Sequence, residues 1–403
     1  MNRLRYLLVL EVLSVLAVSA QADEPKVGRA TVAPNAAGIY WQAFSAMPNL
    51  QDEKKKTLDA ATASTTAPLT DDLQPIVAQF RVALHELHRA RAIAPCDWQL
   101  DTEAGPELLL PHLQKARELG RIALLRARQR FAAGEIDAAV TDVLAVLKMA
   151  RDCGSSPILI SILVDAAIEK SAIEVLAAHL PLLKKEQLDQ LAVSLRELPS
   201  TSDVSSSIRM ENSLFGDWLE RKFNAEAAKL SAPRADGKLL AAIVEPLGLE
   251  SDLNPKPDDL EGKRKAELLK SLTVAEVRES LQRLRSDYAD LGKIAALPFD
   301  ERAARINAFE ESLSAARKAK TREDALRYLS ASLLPAVKNV LVREEQHLVR
   351  RQLLEQAIRV QRDGADALLT IHGKKVEHHK TATGFELRCP CGTGQEVLTI
   401  GRP

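Results

Sequence analysis

The chain has 403 residues, 46% of them hydrophobic and 27% charged, which are the proportions of a water-soluble globular protein with room for two or three domains. Lys and Arg number 55 and Asp and Glu 55, so the formal net charge is zero and no global field draws DNA or RNA; no nucleic-acid partner is expected. Aromatic residues are only 4%, too few for a sugar-binding cleft or a base-stacking surface, and the scarcity of Gly in an Ala- and Leu-rich text favours helices.

Arg3 and Arg5 precede an apolar stretch from Leu7 to Val18, and Ala20-Gln21-Ala22 gives a small-x-small cleavage site. This pattern predicts a secretory signal peptide over 1–22, the alternative being an uncleaved N-terminal anchor. Export implies a periplasmic or secreted protein. No later segment reaches 18 uninterrupted apolar residues, so no membrane span is expected after cleavage.

Pro34-Asn35 opens the first helix of the mature chain, with Ile39, Tyr40, Ala43, Phe44 and Met47 on one face and Pro48 at its end. Asp71-Asp72 caps the next, whose stripe is Leu73, Ile76, Val77, Phe80, Leu84 and Leu87. His85 and His88 share a face there and read as interhelical hydrogen-bonding groups. The loop Cys96-Asp97-Trp98 follows, with Trp98 as a core anchor, and Pro106 suits the first turn of a helix running to about Phe131.

Residues 123–153 carry the clearest internal pattern. Ala127, Gly134, Ala139 and Leu147 fall near the small and apolar positions of a tetratricopeptide repeat, where small side chains let two antiparallel helices approach closely. Only one copy is convincing, whereas a solenoid needs about three; the reading is a repeat-like helical hairpin, within a fold of stacked αα-hairpins or an irregular bundle. Ser156-Pro157 then starts a helix apolar almost all round, the mark of a central position. A helix over 184–198, a Ser-rich hinge at 200–207 and an amphipathic helix marked by Ile208, Phe215, Trp218, Leu219 and Phe223 complete an N-terminal helical domain, 23–230.

Residues 231–262 hold four prolines and read as a linker. A C-terminal helical domain, 263–372, follows. Thr273-Val274-Ala275-Glu276 is a capping box, and Val274, Val277, Leu281, Leu284, Tyr288 and Leu291 form a coiled-coil-like seam. Asp300 and Thr321 start two more helices, the last running toward Val360 with a kink expected at Pro335. In the tail, 373–403, Phe385-Glu386-Leu387-Arg388 and Val397-Leu398-Thr399-Ile400 read as a β-hairpin around a Gly-Thr-Gly turn. The fold class is therefore all-α with a small C-terminal β-hairpin.

Four cysteines allow three disulfide connectivities. Cys96 and Cys153 would tie the loop before one helix to the end of the following hairpin; the alternative is two buried thiols. Cys389-Pro390-Cys391, with His378 and His379 upstream, offers two sulfurs and two imidazoles to zinc or copper, although the spacing is not that of a zinc ribbon. Glu344 and His347 make one Glu-x-x-His, and a di-iron bundle needs two. No nucleophile elbow, Walker loop, dinucleotide fingerprint or His-Glu-x-x-His occurs, so nothing argues for an enzyme and no cofactor is expected.

Asn35-Ala36-Ala37 with Tyr40 and Ala43, the loop Cys96-Asp97-Trp98, the run Leu108-Leu109-Leu110-Pro111-His112-Leu113 and the closing Gly384-Phe385-Glu386-Leu387-Arg388 resemble a family of uncharacterised exported bacterial α-helical proteins. The resemblance implies an envelope location and a helical fold, and carries no activity, substrate or catalytic residue; the Cys-Pro-Cys element departs from it. The expectation that follows is a protein- or peptide-binding or scaffolding module of the cell envelope. The alternatives are a metal-binding, redox or hydrolytic enzyme centred on the Cys-Pro-Cys tail, and a structural component that self-associates through the 274–291 seam.

Overall fold

The computed structural model of the protein describes residues 34–401 apart from Thr66, 231–236, Ala315, Pro335 and 392–393. The expected signal peptide, the kink at Pro335 and part of the tail turn lie outside those residues. Helices dominate because the apolar stripes read from the sequence are the faces that become buried.

Asn35 caps α1 (Ala36–Ser45), its side chain accepting from the Ala37 N–H at 3.1 Å. α2 (Asp52–Thr62) follows. The stripe beginning at Leu73 is carried by two helices, α3 (Leu73–Gln79) and α4 (Arg81–Arg91), which meet at Phe80; Asp72 stands at the N-cap without a side-chain hydrogen bond. Pro106 lies in a short 3₁₀ segment, and Pro111 instead occupies the first turn of α5 (Pro111–Ala132). The turn to α6 (Ile136–Gly154) passes through Gly134 at φ +79°, a left-handed conformation that favours glycine at a helix end. α7 (Leu159–His179) returns antiparallel to α6, so α5 and α7 flank it running in the same direction. Gly120 stands where all three helices approach, facing Val146, Met149 and Ile168.

α8 (Lys185–Arg196) and α9 (Val204–Ala227) follow. Within the expected linker, 237–262, the chain is not extended. α10 (Lys238–Val244) buries Leu239, Leu240, Ile243 and Val244, and Leu253 is also buried beyond it. The prolines break helices there without removing the segment from the core. α11 (Leu260–Lys270) leads to α12 (Val274–Ala295), whose Thr273–Glu276 capping box is formed, Thr273 N–H donating to Glu276 Oε2 at 2.8 Å. Its seam packs on α9 of the same chain. Val277, Leu281, Leu284, Tyr288 and Leu291 are all buried, so this stripe is not free to pair with a second copy. α13 (Phe299–Ser314), α14 (Arg322–Leu326), α15 (Tyr328–Leu333) and the long α16 (Ala336–Asp363) complete the helices.

The tail forms three strands rather than two: β1 (Glu377–Lys380), β2 (Phe385–Cys391) and β3 (Gly394–Ile400), antiparallel in that order. β1 is too polar to show apolar alternation. The sheet lays Leu387, Cys389, Leu398 and Ile400 inward; β2 packs on α16 and β3 on both α7 and α16.

Asn35–Pro403 is one compact unit, and its core has two clusters that do not divide at 231–262. One gathers α1–α8, the sheet and the second half of α16. The other gathers α9–α15, the start of α7 and the first half of α16. α7 and α16 therefore run through both. No helix among the described residues is long and apolar enough to cross a membrane.

Candidate functional site

The two helices that join the clusters also carry the densest charge in the interior. Asp165 and Glu169 lie one turn apart on α7 and are fully buried. Arg151 of α6 donates its Nε–H to Glu169 Oε1 at 2.7 Å. Arg351 of α16 donates Nε–H to Glu169 Oε2 at 2.5 Å and a terminal N–H to Oε1 at 2.9 Å. Burial alone would raise Glu169, but Arg351 and Arg151 prevail and hold its carboxyl below the ordinary value. Asp165 is pushed well up, by burial first and by the neighbouring Glu169 charge second. Glu169 is thus held ionised between two guanidiniums, while Asp165, whose Oδ2 lies 3.5 Å from a terminal nitrogen of Arg351, is the more weakly acidic of the two.

His347 of α16 completes the group. Its Nε2 lies 3.3 Å from Glu169 Oε2 without hydrogen-bond geometry, and both ring nitrogens lack partners. Burial lowers its pKa to about 4, so the ring is neutral at pH 7. Glu344 turns away, accepting from Arg302 at 2.7 Å and from the Val204 N–H at 3.2 Å, so the Glu-x-x-His pair of the sequence is split between two networks.

Asp165, Glu169 and His347 are the one trio of potential ligands among the described residues whose donor atoms all fall within 4.8 Å of one another. Both oxygens of Glu169 are already held by guanidiniums. The two guanidiniums balance the two carboxyls, so the group has no excess negative charge with which to attract a further cation.

That open side is a cleft of about 440 Å³ between α7 and α16. Leu163, Ala166 and Ala167 form one wall, and Arg343, Gln346, His347 and Arg350 line the other. Ala167 also lines a second cavity of about 180 Å³ between α7 and α5, which shares Arg117 and Arg121 with a third, of about 360 Å³, between α5 and α2. The three adjoin in a groove across α2, α5, α7 and α16. Lys55, Arg117, Arg121 and Arg343 line it and have no acidic partner among the described residues.

The cysteines and tail histidines are placed otherwise. All four thiols are free. Cys96 is near enough to Cys153 to contribute to the raised pKa of that thiol, after burial and Asp165. His378 pairs in register with Leu387 and His379 with Glu386, so the two rings occupy opposite faces. His378 rests on the Phe385 ring at 5.0 Å, while His379 is exposed with Glu377 at 3.3 Å. Cys389 and Cys391 are buried, and burial pushes Cys391 up to about 11, which disfavours the thiolate a metal requires. His378, His379, Cys389 and Cys391 therefore do not converge into a ligand set.

Two other readings hold up, the first for His88 alone, since His85 is exposed. His88 bonds across helices to Asp142 of α6 at 2.7 Å, beside Arg126 and Arg130. Trp98 is buried, donating its indole N–H to the Asp152 carbonyl at 2.8 Å. Its ring stacks on His112 at 4.3 Å.

Sequence reasoning missed Asp165, Glu169, Arg151 and Arg351. A signal existed: two acids at i, i+4 inside a helix apolar on every face must be buried, and buried charges demand partners. Compared with known proteins, the chain matches no family model, no curated protein and no solved structure.

Proposed function

We propose that the protein is an exported protein- or peptide-binding module of the cell envelope, periplasmic or secreted, which receives a segment of its partner in the groove across α2, α5, α7 and α16. The observation that carries this reading is the continuity of that groove. Three adjoining cavities run over exposed faces of helices whose other faces are anchored in the core. Stacked helical hairpins commonly present such a surface for recognition. The floor of small side chains at Ala166, Ala167 and Gly120 leaves room for a main chain to lie close.

The reading is tested by panning a random displayed peptide library against the mature chain and against Ala167→Trp, which fills the middle of the groove. Ala167 is exposed, so the folded core tolerates the substitution. Clones that bind the natural chain and lose at least tenfold on the variant are expected. A library yielding no binder, or binders indifferent to Ala167→Trp, refutes it. Export is checked separately by sequencing the N-terminus from the periplasmic fraction, where a chain beginning at Asp23 is expected; an intact chain among cytosolic proteins contradicts it.

A further inference from the structure

The charge of the groove differs from that of the molecule. The chain is neutral overall. Seven Lys and Arg residues line the three cavities against two carboxylates, Asp59 and Glu118. Glu118 is taken by Lys115 at 3.6 Å. At the α7–α16 end, Glu174 lies 3.3 Å from Arg350 and 3.9 Å from Lys170, and Arg350 is also bonded to Glu396 of β3. Lys55, Arg117, Arg121 and Arg343 keep their charges unanswered. Elsewhere on the surface, basic residues repeatedly have an acid in reach, as Arg322 has Glu276 and Arg362 has Asp189 and Asp363. These four lie along one track lined by seven bases and two acids; exposed bases elsewhere, among them Arg81, Arg264 and Arg305, also lack an ion pair among the described residues.

Arg117 and Arg121 are one turn apart on the exposed face of α5, so they point the same way, and Arg343 stands two turns before the paired Arg350 on α16. Below the α16 end, the ring nitrogens of the buried His347 have no partner. The cluster beneath it holds Arg151 and Arg351 against Glu169.

We infer that the occupant of the groove is an acidic polypeptide segment, its carboxylates meeting Arg117 and Arg121 on α5 and Arg343 on α16, with one carboxylate entering the α7–α16 cleft above His347. This rests on the peptide-binding reading above and names the chemistry of the peptide. A polypeptide fits better than a nucleic acid because none of the three cavities has a Phe, Tyr or Trp in its lining on which a base could stack, and the His347 ring is buried.

The test is fluorescence polarisation with the full mature chain and two labelled twelve-residue peptides, one alternating Glu with Ala and the other alternating Gln with Ala, with an oligothymidine of equal length as a third probe. The Glu peptide is expected to bind at least tenfold more tightly than the Gln peptide. Its affinity should fall about fivefold between 50 and 300 mM salt as the exposed charges are screened. Arg117→Glu/Arg121→Glu and Arg343→Glu should each weaken it about tenfold or more, while Arg121→Lys retains most of it. These side chains are exposed and unpaired, and circular dichroism verifies that the variants fold. If library-selected peptides lose binding on Ala167→Trp while the Glu and Gln peptides bind alike, the groove reading stands and the acidic occupant is wrong. If the oligothymidine binds as tightly as the Glu peptide, the groove takes polyanions in general and the inference is overturned. If none binds and the library also fails, both readings fall.

Discussion

Replacing Glu169 by Gln should be among the most damaging single changes in the molecule, while replacing Asp165 by Asn, one turn away and equally buried, should be nearly silent. Glu169 accepts from two guanidiniums, at 2.7 Å from Arg151 and at 2.5 and 2.9 Å from Arg351. Removing one partner of a buried ion pair costs about 3–5 kcal/mol, because the other charge stays desolvated and unpaired. Part of that loss should be recovered, since the Glu169 charge helps to push Asp165 up and Asp165 ionises more readily once that charge is gone. A loss of about 3 kcal/mol is therefore expected for Glu169→Gln, a large share of the roughly 5–15 kcal/mol that stabilises an ordinary domain. Asp165→Asn should cost less than about 1 kcal/mol, because the Asp165 carboxyl is pushed well up and its one guanidinium contact is a long 3.5 Å. The double variant has no carboxylate left for the two arginines and should lose more than the sum of the singles. Urea unfolding at pH 7 followed by circular dichroism measures all three. Additive losses, or an Asp165→Asn loss equal to that of Glu169→Gln, would show that Asp165 is not the more weakly acidic of the two.

Three further outcomes are expected. Burial raises Glu211 to about 7 against the opposing hydrogen bond from the Leu159 N–H at 3.0 Å; because the folded value exceeds the unfolded one, its contribution favours the native state below about pH 4.5 and is lost as pH rises through 7. Glu211→Gln should accordingly gain up to about 3 kcal/mol over the natural chain at pH 8 and nothing at pH 4, and a gap that is constant with pH in thermal melts would contradict this. His347 has the opposite sign: with its value lowered to about 4, it withdraws stability as pH falls from 6.5 through 4, and its ring resonances in NMR should not titrate until near pH 4. Gly105 has φ +59° and ψ −128°, and a Cβ there would lie 2.4 Å from the Trp218 ring, so Gly105→Ala should cost about 2–4 kcal/mol in chemical denaturation; a loss below 0.5 kcal/mol would mean that this segment does not pack on α9.

The helices were legible because their stripes and caps are local. Asn35, Thr273 and the Gly134 turn do what their residue types imply, and Val277 to Leu291 became a buried face as its spacing required. What those stripes pack against is not local. The seam of α12 resembles one made for another copy, yet its partner is α9 of the same chain, a fact that spacing alone does not contain. The prolines of 231–262 had the same ambiguity. A Pro ends a helix in a linker and in a core alike, and only the burial of Leu239, Leu240 and Ile243 separates the two. β1 escaped notice because an edge strand written Glu-His-His-Lys has no apolar alternation to read; its partner strand defines it.

The groove shows why composition is a poor guide to a site. Equal numbers of acids and bases gave a neutral chain, and that neutrality argued against a nucleic-acid partner. Neutrality, however, is a sum over the whole molecule, and a site depends on where the pairs are made. Asp142 draws Arg126, Arg130 and His88 into one internal network, and Glu169 draws Arg151 and Arg351 into another. Those acids are consumed inside, on α6 and α7, while bases on the outer faces of α5 and α16 are left over. Because α7 and α16 each belong to both core clusters, the internal network and the charged cleft above it are held by the same two helices. Loss of Glu169 should then loosen the cleft as well as the core, so a variant stable enough to fold, such as Asp165→Asn, is the proper control for any binding measured there.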